Sequence, residues 1–137
     1  MINLFFTGRV KGRRRYEAFA CKVINNLLPR TFTKREVNIY VRFTKHLEAQ
    51  GFCSMLDDDE ILVEVNTNYM DDLASTLAHE LVHAKQYIRR ELNGPMTRWK
   101  KKEIPYGPRG GCKIPYRRQP WEREAFNTEG KLKELYW

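Results

Sequence analysis

The stretch Ser75-Thr76-Leu77-Ala78-His79-Glu80-Leu81-Val82-His83-Ala84-Lys85-Gln86-Tyr87 decides how the rest of this chain is read. It contains His-Glu-x-x-His in an apolar, helix-favouring background. Residues four apart share one face of a helix, so His79 and His83 can present two imidazoles to one metal ion. Glu80 is offset by one position. It is placed to take a proton from a water at the metal rather than to act as a third ligand beside them. Leu77, Ala78, Leu81, Val82 and Ala84 supply apolar surroundings, which a site that locks its ligands requires. The ordinary alternative is a pair of half-buried histidines with no metal. That two of the chain's three histidines fall in this pattern favours the metal site.

Working outward, the helix is expected over residues 69–92. Asn68 is a good N-cap with Asp71 three positions on, and Asp71 and Asp72 suit the positive end of the helix dipole. Arg89 and Arg90 fall in the last turns. Asn93-Gly94-Pro95 is the expected stop, with Gly94 at or next to the left-handed position.

Before this helix, residues 36–43 alternate Val37, Ile39, Val41 and Phe43 with Glu36, Asn38, Tyr40 and Arg42, the pattern of a half-buried strand. Residues 44–50 form a connection with room for one helical turn. Residues 51–55 and 60–66 are two further strands around the turn Asp57-Asp58-Asp59. That acidic triplet lacks the ligand spacing of a calcium loop and reads as a solvated hairpin turn. Residues 1–10 are a short strand or a packed arm. Residues 13–28 form a helix whose Tyr16, Phe19, Ala20, Val23, Ile24, Leu27 and Leu28 make one apolar face, ended by Pro29. Arg9, Lys11, Arg13, Arg14 and Arg15 crowd its start, the wrong sign for a helix N-terminus. A partner bearing negative charge would account for them, and so would solvation.

The chain's 137 residues suit one domain with one core. The expected class is α+β: an N-terminal helix, a small and mainly antiparallel sheet of about three strands, a central metal-binding helix and a C-terminal helix. No apolar run reaches membrane-span length, and the apolar start is too short for a signal-peptide core. The expectation is therefore a cytoplasmic protein with no membrane partner. Cys21, Cys53 and Cys112 are widely spaced with no Cys-x-x-Cys, so neither a zinc ribbon nor a disulfide framework is indicated.

The net charge of +8 is unevenly placed. In the long loop at about 94–119, Arg98, Lys100, Lys101, Lys102, Arg109, Lys113, Arg117 and Arg118 face Glu103 alone, interleaved with Trp99, Tyr106 and Tyr116. Such a loop is either a lid over a cleft or a nucleic-acid contact.

A catalytic zinc takes three protein ligands and one water, so a third ligand is needed. His46 lies outside any helix-borne motif and reads as a surface residue. The last helix, opened by Pro120-Trp121-Glu122-Arg123-Glu124-Ala125-Phe126 and running to about residue 135, offers Glu122 and Glu124. They face opposite ways, so only one can bind. Glu122 shares a face with Ala125 and Phe126 and is preferred; Glu124 is then turned outward or supports the ligands from behind.

These motifs together resemble the gluzincin metallopeptidases, especially their minimal members, over about residues 36–126. Thr76-Leu-Ala-His79-Glu80-Leu-Val-His83 after a strand ending in Asn66 also resembles the SprT-like domains. Glu122 and Ala125 match the Glu-x-x-Ala spacing of the third ligand in membrane-associated gluzincins. Glu122-Arg-Glu124-Ala125 resembles small peptidases associated with phage repressor cleavage, and the overall make-up resembles small phage and bacterial proteins. The resemblance implies a zincin-like fold and zinc-dependent peptide hydrolysis in the cytoplasm, that of a host if the source is viral. Glu80 is the implied general base. A neighbouring tyrosine or cation would help hold the oxyanion, the candidates being Tyr116, Tyr106 and Tyr87, of which Tyr116 is named as catalytic. A peptide or protein substrate is implied, bound along an edge strand at residues 51–55. Two departures stand out. No zinc ribbon and no histidine follow His83, against the usual SprT-like pattern. The position two beyond the second histidine, apolar in many metallopeptidases, is Lys85. Two other readings remain: a nucleic-acid-associated relative acting on DNA-bound proteins, and a zinc-binding partner protein with no catalysis.

Overall fold

The first strand, β1 (Ile2–Gly8), leads through helix α1 (Arg13–Leu27) into β2 (Val37–Thr44), and the two strands pair in parallel from Ile2↔Val37 to Gly8↔Phe43. The computed structural model describes residues 1–29 and 34–137. Strands β3 (Gly51–Asp57) and β4 (Glu60–Asn66) form the expected hairpin around Asp58 and Asp59. Strand β4 pairs in parallel with β2, and the sheet order is β1-β2-β4-β3. The sheet is therefore mixed and four-stranded, not mainly antiparallel and three-stranded. The sequence pattern carries each strand's buried face but not its partner. The α1 crossover forces β1 and β2 to run the same way, because a strand that returns through a helix re-enters the sheet in parallel. Thr44 still belongs to β2, and residues 45–50 bend without forming a helical turn.

Alternation places the core. Val37, Ile39, Val41 and Phe43 of β2 and Ile61, Val63 and Val65 of β4 are buried on one sheet face. Against them pack Tyr16, Phe19, Ala20, Val23 and Ile24 of α1, together with Leu73, Leu77, Leu81 and Ile88 of helix α2 (Leu73–Ile88). The last helix, α3 (Pro120–Tyr136), packs on α2 and buries Trp121, Ala125 and Leu132. Nearly the whole of α2 is buried, as its apolar background predicts.

Two helix boundaries differ from expectation. A 3₁₀ turn, Met70–Asp72, precedes α2, whose N-cap position is Asp72. Asn68 instead donates its side-chain amide to the Lys45 carbonyl, because the loop before β3 lies within reach. At the other end α2 stops at Ile88, and Arg89 and Arg90 lie beyond it. Arg90 takes the left-handed conformation at φ 59° expected near Gly94. Glu91 N–H then reaches Gln86 O and Arg90 N–H reaches Tyr87 O, the two bonds of a Schellman ending. Arg35 donates to the Ile88 carbonyl and caps another orphan acceptor.

Part of the basic start of α1 is also used within the fold. Arg13 donates to the Gly8 and Phe6 carbonyls, and Arg15 donates to the main-chain oxygen of Trp137 while stacking over its ring at 3.9 Å. The long loop is less irregular than its composition suggests. It carries a small hairpin of β5 (Arg98–Trp99) and β6 (Lys102–Glu103), with Lys100 and Lys101 at positive φ in the turn. No helix among the described residues is long and apolar enough to cross a membrane.

Candidate metal centre

Helix α2 projects His79 and His83 from one face, and the first turn of α3 brings Glu122 to them. Pro120 at the start of α3 and the burial of Trp121 and Ala125 against α2 set that approach. The Glu122 Oε1 lies 3.0 Å from His79 Nε2 and 2.9 Å from His83 Nε2. All three side chains are buried, and their donor atoms lie within 4.8 Å of one another. Tetrahedral bonds of ~2.0 Å set ligand–ligand edges of about 3.3 Å. The two measured edges are a few tenths of an ångström shorter, so a small opening of the triad admits an ion. Two imidazoles and one carboxylate also form a common zinc donor set. The buried group can hold a metal ion, and it unites His79, His83 and Glu122.

The back of each ring is held as a ligand's should be. The Gln86 Oε1 lies 2.8 Å from His83 Nδ1, and the Glu129 Oε2 lies 3.4 Å from His79 Nδ1. A proton on Nδ1 directed at these acceptors leaves Nε2 as the coordinating atom. Sequence reasoning missed both partners. The signals are present: Gln86 is three residues after His83, and Glu129 is seven after Glu122, two turns along the same face of α3.

The charges follow from this crowding. Burial lowers His79, but its hydrogen bonds to Glu122 and Glu129 and the nearby Glu80 charge outweigh that and raise it to about 9. Burial likewise opposes His83, and Glu122 again prevails and raises it. Burial pushes Glu122 up, yet the two imidazoles hold it down at about 2. Without a metal, protons on the ring nitrogens bridge to Glu122.

Glu80 stands apart from this triad. Burial raises its carboxyl to about 7, against the pull of His83 and His79. It faces Gly51 at the start of β3: a Cβ built there would stand 3.0 Å from Glu80 Oε1. Beside it opens a cleft of about 480 Å³ lined by Gln50, Gly51, Thr76, His79, Tyr116 and Phe126, among others.

The remaining residues singled out in the sequence fall as follows. Tyr116 joins the site, its hydroxyl donating to Glu122 Oε1 at 3.2 Å. Burial and the Glu122 charge push that phenol up to about 12, so it stays a donor. Tyr106 instead donates to the Met96 carbonyl, and Tyr87 is buried in the core. Glu124 turns from the triad to Lys85 and Gln86. His46 is exposed, and Asp58 and Asp59 sit in the hairpin turn with Asp57 at the end of β3. Cys21, Cys53 and Cys112 are free thiols.

Comparison of the chain with protein-family models, with curated proteins and with solved structures finds no match in any of the three.

Proposed function

We propose that the protein is a zinc-dependent metallopeptidase of minimal, zincin-like architecture, with His79, His83 and Glu122 as the zinc ligands. The observation that carries this reading is the position of Glu80. A structural site needs no base, yet a buried carboxylate raised to about 7 follows the ligand His79 in sequence and lies against Gly51, and both of those residues line the cleft. Zinc bound there would polarise the scissile carbonyl and make the attacking water acidic.

The chain's own groups do the rest. Glu80 takes the proton of the attacking water and later returns it to the leaving amine. The Tyr116 hydroxyl, whose one hydrogen goes to Glu122 Oε1 in the free protein, turns that hydrogen to the oxygen that gains negative charge. Among the described residues strand β3 has only β4 as a neighbour, which leaves one edge open to an extended peptide. The Asn66 N–H bond to Gln50 O sets the alternation along the hairpin, so the main-chain groups of Gly51 and Cys53 point away from β4, toward such a peptide.

The nucleic-acid reading rests on the exposed cations of the loop alone, because its aromatic residues are engaged within the protein. Trp99 packs on Trp121 with ring centroids 6.1 Å apart, Tyr106 is bonded to Met96, and Tyr116 to Glu122. Of the three, Tyr116 lines the cleft, which favours the lid reading for that end of the loop.

The deciding experiment loads the purified protein with zinc and incubates it with a broad peptide library beside Glu80→Gln. Cleavage by the wild type, reduced by about 10²-fold or more in the variant, is expected from loss of a general base. A zinc-loaded wild type that cleaves nothing, or a variant of undiminished activity, overturns the peptidase reading.

A further inference from the structure

Lys85 is the residue that departs from the apolar pattern of metallopeptidase helices, and its surroundings give it a task. It is buried, and its Nζ lies 2.8 Å from Glu91 Oε1 and 2.8 Å from Glu124 Oε1. The same Glu124 oxygen accepts from Gln86 Nε2 at 3.0 Å. The other hydrogen of that amide goes to the Trp121 carbonyl at 2.9 Å. With both N–H bonds committed, the amide of Gln86, fully buried, has one orientation, with Oε1 turned to His83 Nδ1 at 2.8 Å.

We propose that Lys85 and Gln86 are positioning residues for the metal centre, acting on His83 through the chain Lys85–Glu124–Gln86. The inference rests on the metal-site reading above. Lys85 neutralises Glu124 and holds it on the far side of Gln86, away from the ligand group, so Glu122 alone completes the triad. Glu124 fixes the amide, and the amide fixes the tautomer and tilt of the His83 ring. The two histidines are thus held differently. His79 leans on the carboxylate of Glu129, which lines the cleft. His83 is fixed by a neutral amide whose direction is set by a part-buried charge pair. Were the amide flipped, its N–H₂ would meet His83 Nδ1–H, and the donor pair would turn the ring.

The test measures metal affinity and coordination, not turnover. Zn²⁺ affinity is determined by competition with a chromophoric chelator, and the visible absorption of the Co²⁺-loaded protein reports ligand geometry. Lys85→Met and Gln86→Leu are each expected to weaken zinc binding by roughly 10- to 100-fold, as removal of such supporting groups does. The double variant should be about as weak as the weaker single one, because both changes break one chain. The Co²⁺ bands should shift in all three. Since both residues are buried, Glu124→Gln at a side chain only 29% exposed provides a milder break. It removes the charge that Lys85 requires and should also shift the Co²⁺ bands. Glu91→Gln, whose side chain meets Lys85 and whose main-chain bond to the Gln86 carbonyl is untouched by the change, should leave them in place. Independent, multiplying losses in the double variant, or unaltered Co²⁺ bands in Glu124→Gln, would overturn the proposal while leaving the metal site intact. A wild-type protein that binds neither ion removes the site itself and the positioning role with it.

Discussion

Gly51 at the open edge of the sheet lies directly against Glu80 of α2. A Cβ built at Gly51 would meet Glu80 Cγ at 2.9 Å, Glu80 Oε1 at 3.0 Å and Thr76 Cγ2 at 2.6 Å. Two of these atoms are not the free ends of flexible chains, so the helix face or the strand must shift. The glycine is required by close approach and not by its backbone angles. Gly51→Ala is therefore expected to lower kcat by about 10- to 100-fold, since small displacements of a catalytic group cost that much. Zinc affinity should change far less than kcat, because the three atoms nearest a Cβ at Gly51 belong to Thr76 and Glu80 and none to a ligand. Steady-state kinetics beside a chelator titration checks both halves, and an Ala variant of full activity would show that Glu80 needs no fixed position.

Glu122 and Glu124 stand two residues apart and are assigned opposite tasks. Glu122→Ala should lose stoichiometric zinc, as should His79→Ala or His83→Ala, while His46→Ala keeps it. Metal analysis by mass spectrometry decides this. Thermal unfolding gives a second reading: added zinc should raise the Tm of the wild type and of His46→Ala by mass action, and leave Glu122→Ala unmoved. Zinc retained by Glu122→Ala would reject the assigned triad.

Metal binding should expel protons. In the metal-free protein His79 is raised to about 9 and is protonated at neutral pH, and His83 is raised as well. A ligand nitrogen must lose its Nε2 proton to coordinate. Proton competition therefore weakens zinc at low pH, and affinity rises with pH until about 9, where His79 releases its proton unaided. Between pH 6 and 8 the expected slope is about tenfold per unit for each proton displaced. Calorimetric titration in buffers of different ionisation enthalpy counts those protons directly. No proton release at pH 7 would contradict the bridged triad.

Tyr116 donates to Glu122 from a short turn before α3. If it serves the developing oxyanion, Tyr116→Phe should reduce kcat by about 10²-fold with little change in KM, the usual loss for one such donor. Zinc content should stay stoichiometric. A proportional rise in KM with kcat intact would instead make the hydroxyl a substrate-binding group.

The parts legible in the sequence are those set by local periodicity. A step of four on a helix brings His79 and His83 together wherever that helix packs, and the alternation in β2 and β4 names their buried residues before any partner is known. The apolar face of α1, the turn at Asp58 and the proline that opens α3 follow from the same short-range rules. Contacts across long separations do not. Glu122 lies 39 residues beyond His83, and only the packing of α3 on α2 turns it, rather than Glu124, to the imidazoles. The charge of Lys85 on a buried helix has its reason in Glu91 and Glu124 on either side of it. The strand partners of β1 and the Arg35 cap on the Ile88 carbonyl, where α2 stops early, were likewise decided by tertiary structure. Propensity and periodicity act over one or two turns, whereas pairing, burial of charge and the completion of a three-ligand site depend on which surfaces meet when the core closes.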